Sequence, residues 1–152
     1  MLHDKVTGKI IGAYFNVYNA LGFGFLEKVY ENALKYKLGQ IGFSVQQQVP
    51  IKVYFEGQCV GNYVADLLVD DLVIVELKTV ETVLPIHEAQ LINYLKATEI
   101  EVGLLLNFGP KAKVVRRILT NDRKPSSPRN ITNQSRKKSV VHFLEVNDDL
   151  LL

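Results

Sequence analysis

An α/β domain with its helices leading is the architecture that this chain's apolar periodicity predicts, and three observations carry it. Apolar residues recur at helical spacing as far as Leu38. Between Val45 and Lys78 the pattern changes to short runs rich in β-formers, broken by Glu56-Gly57 and Asp70-Asp71. A further helical stretch then precedes a continuous apolar run, Val102 to Leu106, of the kind that fills a buried strand.

Taken in order, Ile10, Tyr14, Val17, Tyr18 and Leu21 predict a first helix from about Thr7 to Leu21, and Gly22-Phe23-Gly24 breaks it. Leu26, Val29, Tyr30, Ala33, Leu34 and Leu38 form the apolar stripe of a second helix that Gly39 and Gly42 end. Glu27 and Glu31 lie four apart on it, a like-charge pair that helix stability alone disfavours. Val45 to Gln48 and Ile51 to Phe55 read as extended segments, and Glu56-Gly57 as a turn into the strands Tyr63 to Val69 and Val73 to Lys78, an antiparallel meander. Pro85 suits the first turn of a helix that sends Ala89, Ile92 and Leu95 to the core. Gly109-Pro110 ends the Val102 strand. The segment Lys111 to Leu119 favours a strand over a short helix because of its Val114-Val115 centre.

Charge placement on the hairpin is the feature that bears on function. Asp66, Glu76 and Lys78 are even-numbered, whereas Ala65, Leu67, Val69, Val73, Val75 and Leu77 are odd and apolar. A period of two sends the two sets to opposite faces, so one face is core and the other gathers the charges. A register that sets Asp66 opposite Glu76 requires a three-residue loop, Asp70-Asp71-Leu72, or a bulge, because a two-residue turn mixes the sets. Two carboxylates held close repel, and a divalent cation relieves that repulsion. The plain alternative is a structural salt bridge from Lys78 to one of the acids. On the helix after Pro85, His87, Gln90 and Tyr94 share one face, which can lie against that charged set or be an ordinary solvated flank.

Composition narrows the possibilities. A length of 152 residues, 47% of them hydrophobic, suits one domain with a full core. The net charge of +2 means that nucleic-acid binding must come from a local patch. A lone cysteine, Cys59, excludes an internal disulfide framework and a cysteine-rich metal site. Neither a signal-peptide pattern nor a run of roughly 20 apolar residues is present, so the expectation is a cytoplasmic protein with no membrane partner. The domain is expected over residues 1–120. Residues 121–152 are expected as a basic, flexible extension, since Asn121 to Ser139 has almost nothing to bury. Val140 to Val146 is left as an added strand or docking segment, and the acidic and apolar end from Asp148 to Leu152 has no readable role.

Five motifs stand in order: Gly24-Phe25-Leu26-Glu27-Lys28-Val29-Tyr30, Ala65-Asp66-Leu67-Leu68-Val69, Val75-Glu76-Leu77-Lys78, His87-Glu88-Ala89-Gln90-Leu91-Ile92-Asn93-Tyr94-Leu95 and Leu106-Asn107-Phe108-Gly109. Together they resemble the PD-(D/E)XK nuclease superfamily, and within it the small bacterial GxxExxY family, over about Val6 to Thr120. The resemblance implies a restriction-endonuclease-like αβββαβ core with a mixed central sheet flanked by helices. It implies that Glu27, Asp66, Glu76 and the backbone carbonyl of Leu77 reach a divalent metal, usually Mg2+, for which Mn2+ substitutes. Lys78 would orient or activate the attacking water, with Gln90 and Tyr94 bracing the site. His87 is expected in a supporting position because it shares the Gln90 face, the alternative being a plain helix N-terminal residue, and Tyr30 in packing. Lys111, Lys113, Arg116 and Arg117 form a basic cluster that is a weak candidate for phosphate contact. The expected function is metal-dependent phosphodiester hydrolysis in nucleic acid, with DNA favoured over RNA. The rivals are a nucleic-acid-binding or assembly subunit with the nuclease fold but little catalysis, and an interaction protein that recruits a partner through its tail. A homodimer stays open.

Overall fold

The computed structural model describes residues 1–125, so the expectations of a flexible extension, beyond its first five residues, and for Val140 to Val146 and the acidic end lie outside the described residues. The elements are α1 (Asp4–Leu21), α2 (Glu27–Gln40), β1 (Val45–Phe55), β2 (Gln58–Val69), β3 (Val73–Lys78), α3 (Pro85–Lys96), β4 (Val102–Asn107), β5 (Lys113–Ile118) and a short 3-10 turn (Asn121–Arg123). The run α2-β1-β2-β3-α3-β4 is the expected αβββαβ core, extended by α1 before it and β5 after it. Strand order is β1-β2-β3-β4-β5; β3 and β4 are parallel and every other neighbouring pair is antiparallel. The parallel pair needs a crossover, which α3 supplies.

Both faces of the sheet are covered, which is why β3 and β4 are apolar at nearly every position. On one face the α1 stripe Ile10, Ala13, Tyr14 and Val17 and the α2 stripe Tyr30, Leu34 and Leu38 pack on Leu67, Val75, Leu77, Leu104, Leu106 and Phe108. On the other, Leu91, Tyr94 and Leu95 of α3 pack on Leu68, Ile74, Leu105 and Val115. Each fully buried leucine in these layers contributes on the order of 1.5–3 kcal/mol. Gly103 allows α3 its close approach to β4, since a Cβ there would lie 2.6 Å from Leu91 Cδ1. Among the described residues no helix is long and apolar enough to cross a membrane.

Three local differences from the sequence reading stand out. β1 is one continuous strand, not two extended segments, and β2 begins at Gln58 to make a long hairpin around Glu56-Gly57, whose φ values of 48° and 76° match a two-residue hairpin turn. α1 begins at Asp4, before the expected Thr7. The folded unit also continues past Thr120: the Asn121 amide donates to Glu101 Oε2 at 2.8 Å, and buried Lys124 donates to the carbonyls of Thr98 (2.8 Å) and Ile100 (2.7 Å).

Candidate active site

The hairpin takes the register that the charge pattern requires. Leu67 pairs with Val75, Leu68 with Ile74 and Val69 with Val73, closed by the loop Asp70-Asp71-Leu72, in which both aspartates have positive φ and the Leu72 amide donates to the Val69 carbonyl. Asp66 therefore stands opposite Glu76. The regular ladder stops at Leu67, and side chains replace it: the Asp66 amide donates to Glu76 Oε1 at 2.9 Å, and the Leu77 amide donates to Asp66 Oδ2 at 2.8 Å. Each carboxylate is thereby fixed by the other's strand. Glu76 is only 4% exposed.

The break coincides with a kink across both strands. Gln47 pairs with Leu67 and Val49 with Ala65, but Gln48 and Asp66 do not pair, and Gln48 has φ 51°. The kink turns the strands over. Val45, Leu67 and Val69 pack on the α1/α2 side, whereas Val49 and Ala65 pack on the α3 side. Ala65, expected in the same core as Leu67, thus belongs to the opposite one: alternation fails at the unpaired Gln48/Asp66 step, where Gln48 is left-handed. The turned-out Gln48 and its neighbour Gln47 both donate to the buried Glu31 of α2, Gln47 at 2.8 Å, and Lys28 forms an ion pair with the same carboxylate. Gln48 Nε2 also lies 3.5 Å from Asp66 Oδ1. Glu31, Gln47 and Gln48 are the members of the site that motif reading missed. The one available signal was the costly Glu27/Glu31 spacing.

Lys78, at the end of β3, donates to Gln90 Oε1 (3.3 Å), and Gln90 Nε2 donates to the Tyr94 hydroxyl (2.8 Å). Gln90 and Tyr94 of α3 thus lie against Lys78 at the charged end of the hairpin. Tyr94 also meets the ring of Tyr63 at 5.6 Å. His87 takes the helix N-terminal alternative: Nδ1 accepts the Leu84 amide at 3.0 Å while the His87 amide donates to the Leu84 carbonyl, which closes the first turn of its own helix. Tyr30 packs, as expected: its ring stacks on Phe108 at 4.5 Å, and its hydroxyl donates to Gly22 and accepts from Phe25, shaping the loop that delivers Glu27. Glu27 is half-buried at the first position of α2, where the positive end of the helix dipole favours a carboxylate.

Asn107 anchors the segment leaving Lys78. Its Oδ1 accepts the Val80 amide (3.0 Å) and the Gly109 amide (3.2 Å), and its Nδ2 donates to the carbonyls of Val80 (2.8 Å) and Lys111 (3.0 Å). Gly109 sits so close to this loop that a Cβ would lie 1.9 Å from the Val80 oxygen.

Electrostatically the site is strained toward protonation. Burial, reinforced by the Asp66 charge, lifts the Glu76 carboxyl well above its ordinary value. Burial likewise raises Asp66 and Glu27, with Glu31 adding to Asp66 and Asp66 adding to Glu27, while Lys78 pulls all three down. Burial and then the Glu76 charge push the Tyr94 hydroxyl up. These groups repel one another and lean on one ammonium.

The basic cluster does not form one patch. Lys78, Asn107 and Lys113 pair in a row across β3, β4 and β5, so exposed Lys113 is on the site's face and at its end of the sheet. Exposed Lys111 lies just outside β5 at that end, beside the Asn107 amide. Alternation sends Arg116 to the other face, where it meets Asp4 at 3.4 Å, and Arg117 pairs with Glu88 at 2.9 Å. Both arginines are committed to acids.

Among the described residues no three His, Cys, Asp or Glu side chains converge as a ready metal cage. The donor chemistry nevertheless fits a hard cation: every candidate is an oxygen, and the carboxylates raise one another's affinity for positive charge. No curated protein and no solved structure gives a significant match to the chain. Comparison with known families matches residues 4–118 to the PD-(D/E)XK nuclease superfamily, a span that includes the hairpin, Lys78 and α3. The chain belongs to the PD-(D/E)XK nuclease superfamily.

Proposed function

We propose that this protein is a metal-dependent nuclease of the GxxExxY branch that hydrolyses phosphodiester bonds in nucleic acid, with DNA favoured over RNA. The observation that carries the reading is the pairing of Asp66 with Glu76 across the hairpin while Lys78 is joined through Gln90 to Tyr94 on α3. Asp66, Glu76 and Glu27 would hold Mg2+ or Mn2+, together with the Leu77 carbonyl, which in an extended strand shares the β2-facing side of the Leu77 amide. A divalent cation supplies neutralising charge to the phosphoryl oxygens and lowers the pKa of bound water. Lys78 cannot ligate a cation. Its ammonium orients the attacking water and stabilises negative charge that develops on the phosphoryl group.

Gln90 fixes the direction of that ammonium, and Tyr94 in turn fixes the Gln90 amide, so the Lys78 head group is held before substrate arrives. The high hydroxyl pKa keeps Tyr94 protonated and neutral at physiological pH. Exposed Lys113, and Lys111 beside it, are suited to a flanking phosphate.

Calorimetric titration with magnesium or manganese, run on wild type and Glu76→Ala beside a cleavage assay on labelled DNA and RNA, tests the reading. Loss of metal binding and cleavage together is expected. If Glu76→Ala binds metal like wild type and still cleaves, Asp66, Glu76 and Lys78 are a structural charge cluster.

A further inference from the structure

Exposed apolar side chains lie near the line Lys78–Gln90–Tyr94. Ile86, Gln90 and Tyr94 follow one another at spacings of four on α3, so Ile86 stands one turn before Gln90 on the same stripe, and it is 70% exposed. At the other end, Tyr63 packs on Tyr94 and is 39% exposed. On the α2 side Leu26, directly before Glu27, is 80% exposed, and Phe25 beside it is also exposed. Ile86 and Leu26 are outside both buried core clusters. A duplex stacks its base faces inside and offers phosphates and sugars on its outside, which gives exposed apolar side chains beside the site nothing to pack on. Unpaired bases expose apolar faces that pack on aromatic and apolar side chains, alongside the cationic contacts their backbone still requires.

We propose that the site takes nucleic acid whose bases are unpaired around the scissile phosphate, with bases packing on Tyr63 beside Tyr94, on Ile86 one turn before Gln90, and on Leu26 next to Glu27. Lys113 holds a phosphate of the same strand. This inference rests on the nuclease reading above and specifies its substrate.

The test compares cleavage, with magnesium, of three labelled oligonucleotides of one length: a single strand, its blunt duplex, and a single strand carrying abasic sites on both sides of the scissile bond. The single strand is expected to be cleaved with a KM about tenfold below that of the duplex and of the abasic strand. Ile86→Ser and Leu26→Ser are each expected to raise KM on the single strand several-fold with kcat little changed, and neither residue is buried. Preferred cleavage of the duplex, or equal KM with and without bases, overturns the inference while leaving the nuclease reading intact. Absence of cleavage on all three substrates removes both. If the serine variants leave KM unchanged but dissociate an oligomer in sedimentation, the apolar rim is an interface between copies and the inference fails.

Discussion

The backbones of Gln48 and Asp66 do not pair, although the residues on either side of them do. A glutamine at φ 51° is held there by its side chain, which donates to Glu31 and lies within reach of Asp66. Gln48→Ala keeps the left-handed strain and strips a donor from a buried carboxylate, at a cost of about 1–3 kcal/mol. Gln48→Gly loses the same donor but relieves the backbone, and is expected to be about 1 kcal/mol more stable than the alanine variant. Urea denaturation of both variants checks this; equal stabilities would mean that Gln48 is unstrained.

Carboxyl groups raised by burial and by one another make the metal-free fold sensitive to pH. Glu76, Asp66 and Glu27 bind protons more tightly folded than unfolded, so their contribution is fully present below their ordinary carboxyl values, 4.5 for the glutamates and 3.8 for Asp66, and is lost as pH rises through their raised values. In chelator, Glu76→Gln should therefore be more stable than wild type near neutrality and show a flatter decline above pH 4.5. Thermal melts across that range measure the difference. A steeper decline in the variant would contradict the assigned burial.

Lys124 gives the opposite sign on the basic side. Burial lowers its pKa from 10.5 to about 8, so between those values the unfolded chain binds more protons and stability rises with pH. Lys124→Met should remove that rise. A variant whose stability still climbs from pH 8 to 10.5 by as much as wild type would place the effect elsewhere.

The Asn107 clamp predicts a local effect. Asn107→Ala leaves the amide and carbonyl of Val80 without their partners and should cost about 3 kcal/mol. Hydrogen exchange at the Val80 amide should accelerate more than global unfolding requires. Unchanged protection at Val80 would show that the loop is held by other contacts.

The hairpin register was legible because parity is a strong signal: a slip of one residue would have buried Asp66 and Glu76 among the leucines. The placing of Ala65 was not, because it depends on a left-handed Gln48, and glutamine carries no sequence mark for that conformation as glycine or asparagine does. Glu31 was half visible, since its like-charge spacing from Glu27 flagged a cost without naming Gln47 and Gln48 as its partners. The division of Lys113, Arg116 and Arg117 between two faces follows from strand alternation, but Asp4 and Glu88 as their partners depend on how α1 and α3 pack. Asn107 stood in the fifth motif with no role attached to it. Its four bonds are to backbone groups, which no side-chain pattern reveals.

The most direct test of the central claim is the single-turnover rate of magnesium-dependent cleavage by wild type and Lys78→Ala on a labelled single-stranded oligonucleotide. The account predicts cleavage by wild type and a loss of about 10²–10³-fold in the variant, with magnesium affinity little changed, because the ammonium acts on the reacting groups and not as a ligand. A Lys78→Ala protein that cleaves within a few-fold of wild type would contradict the assignment of this hairpin as the catalytic centre.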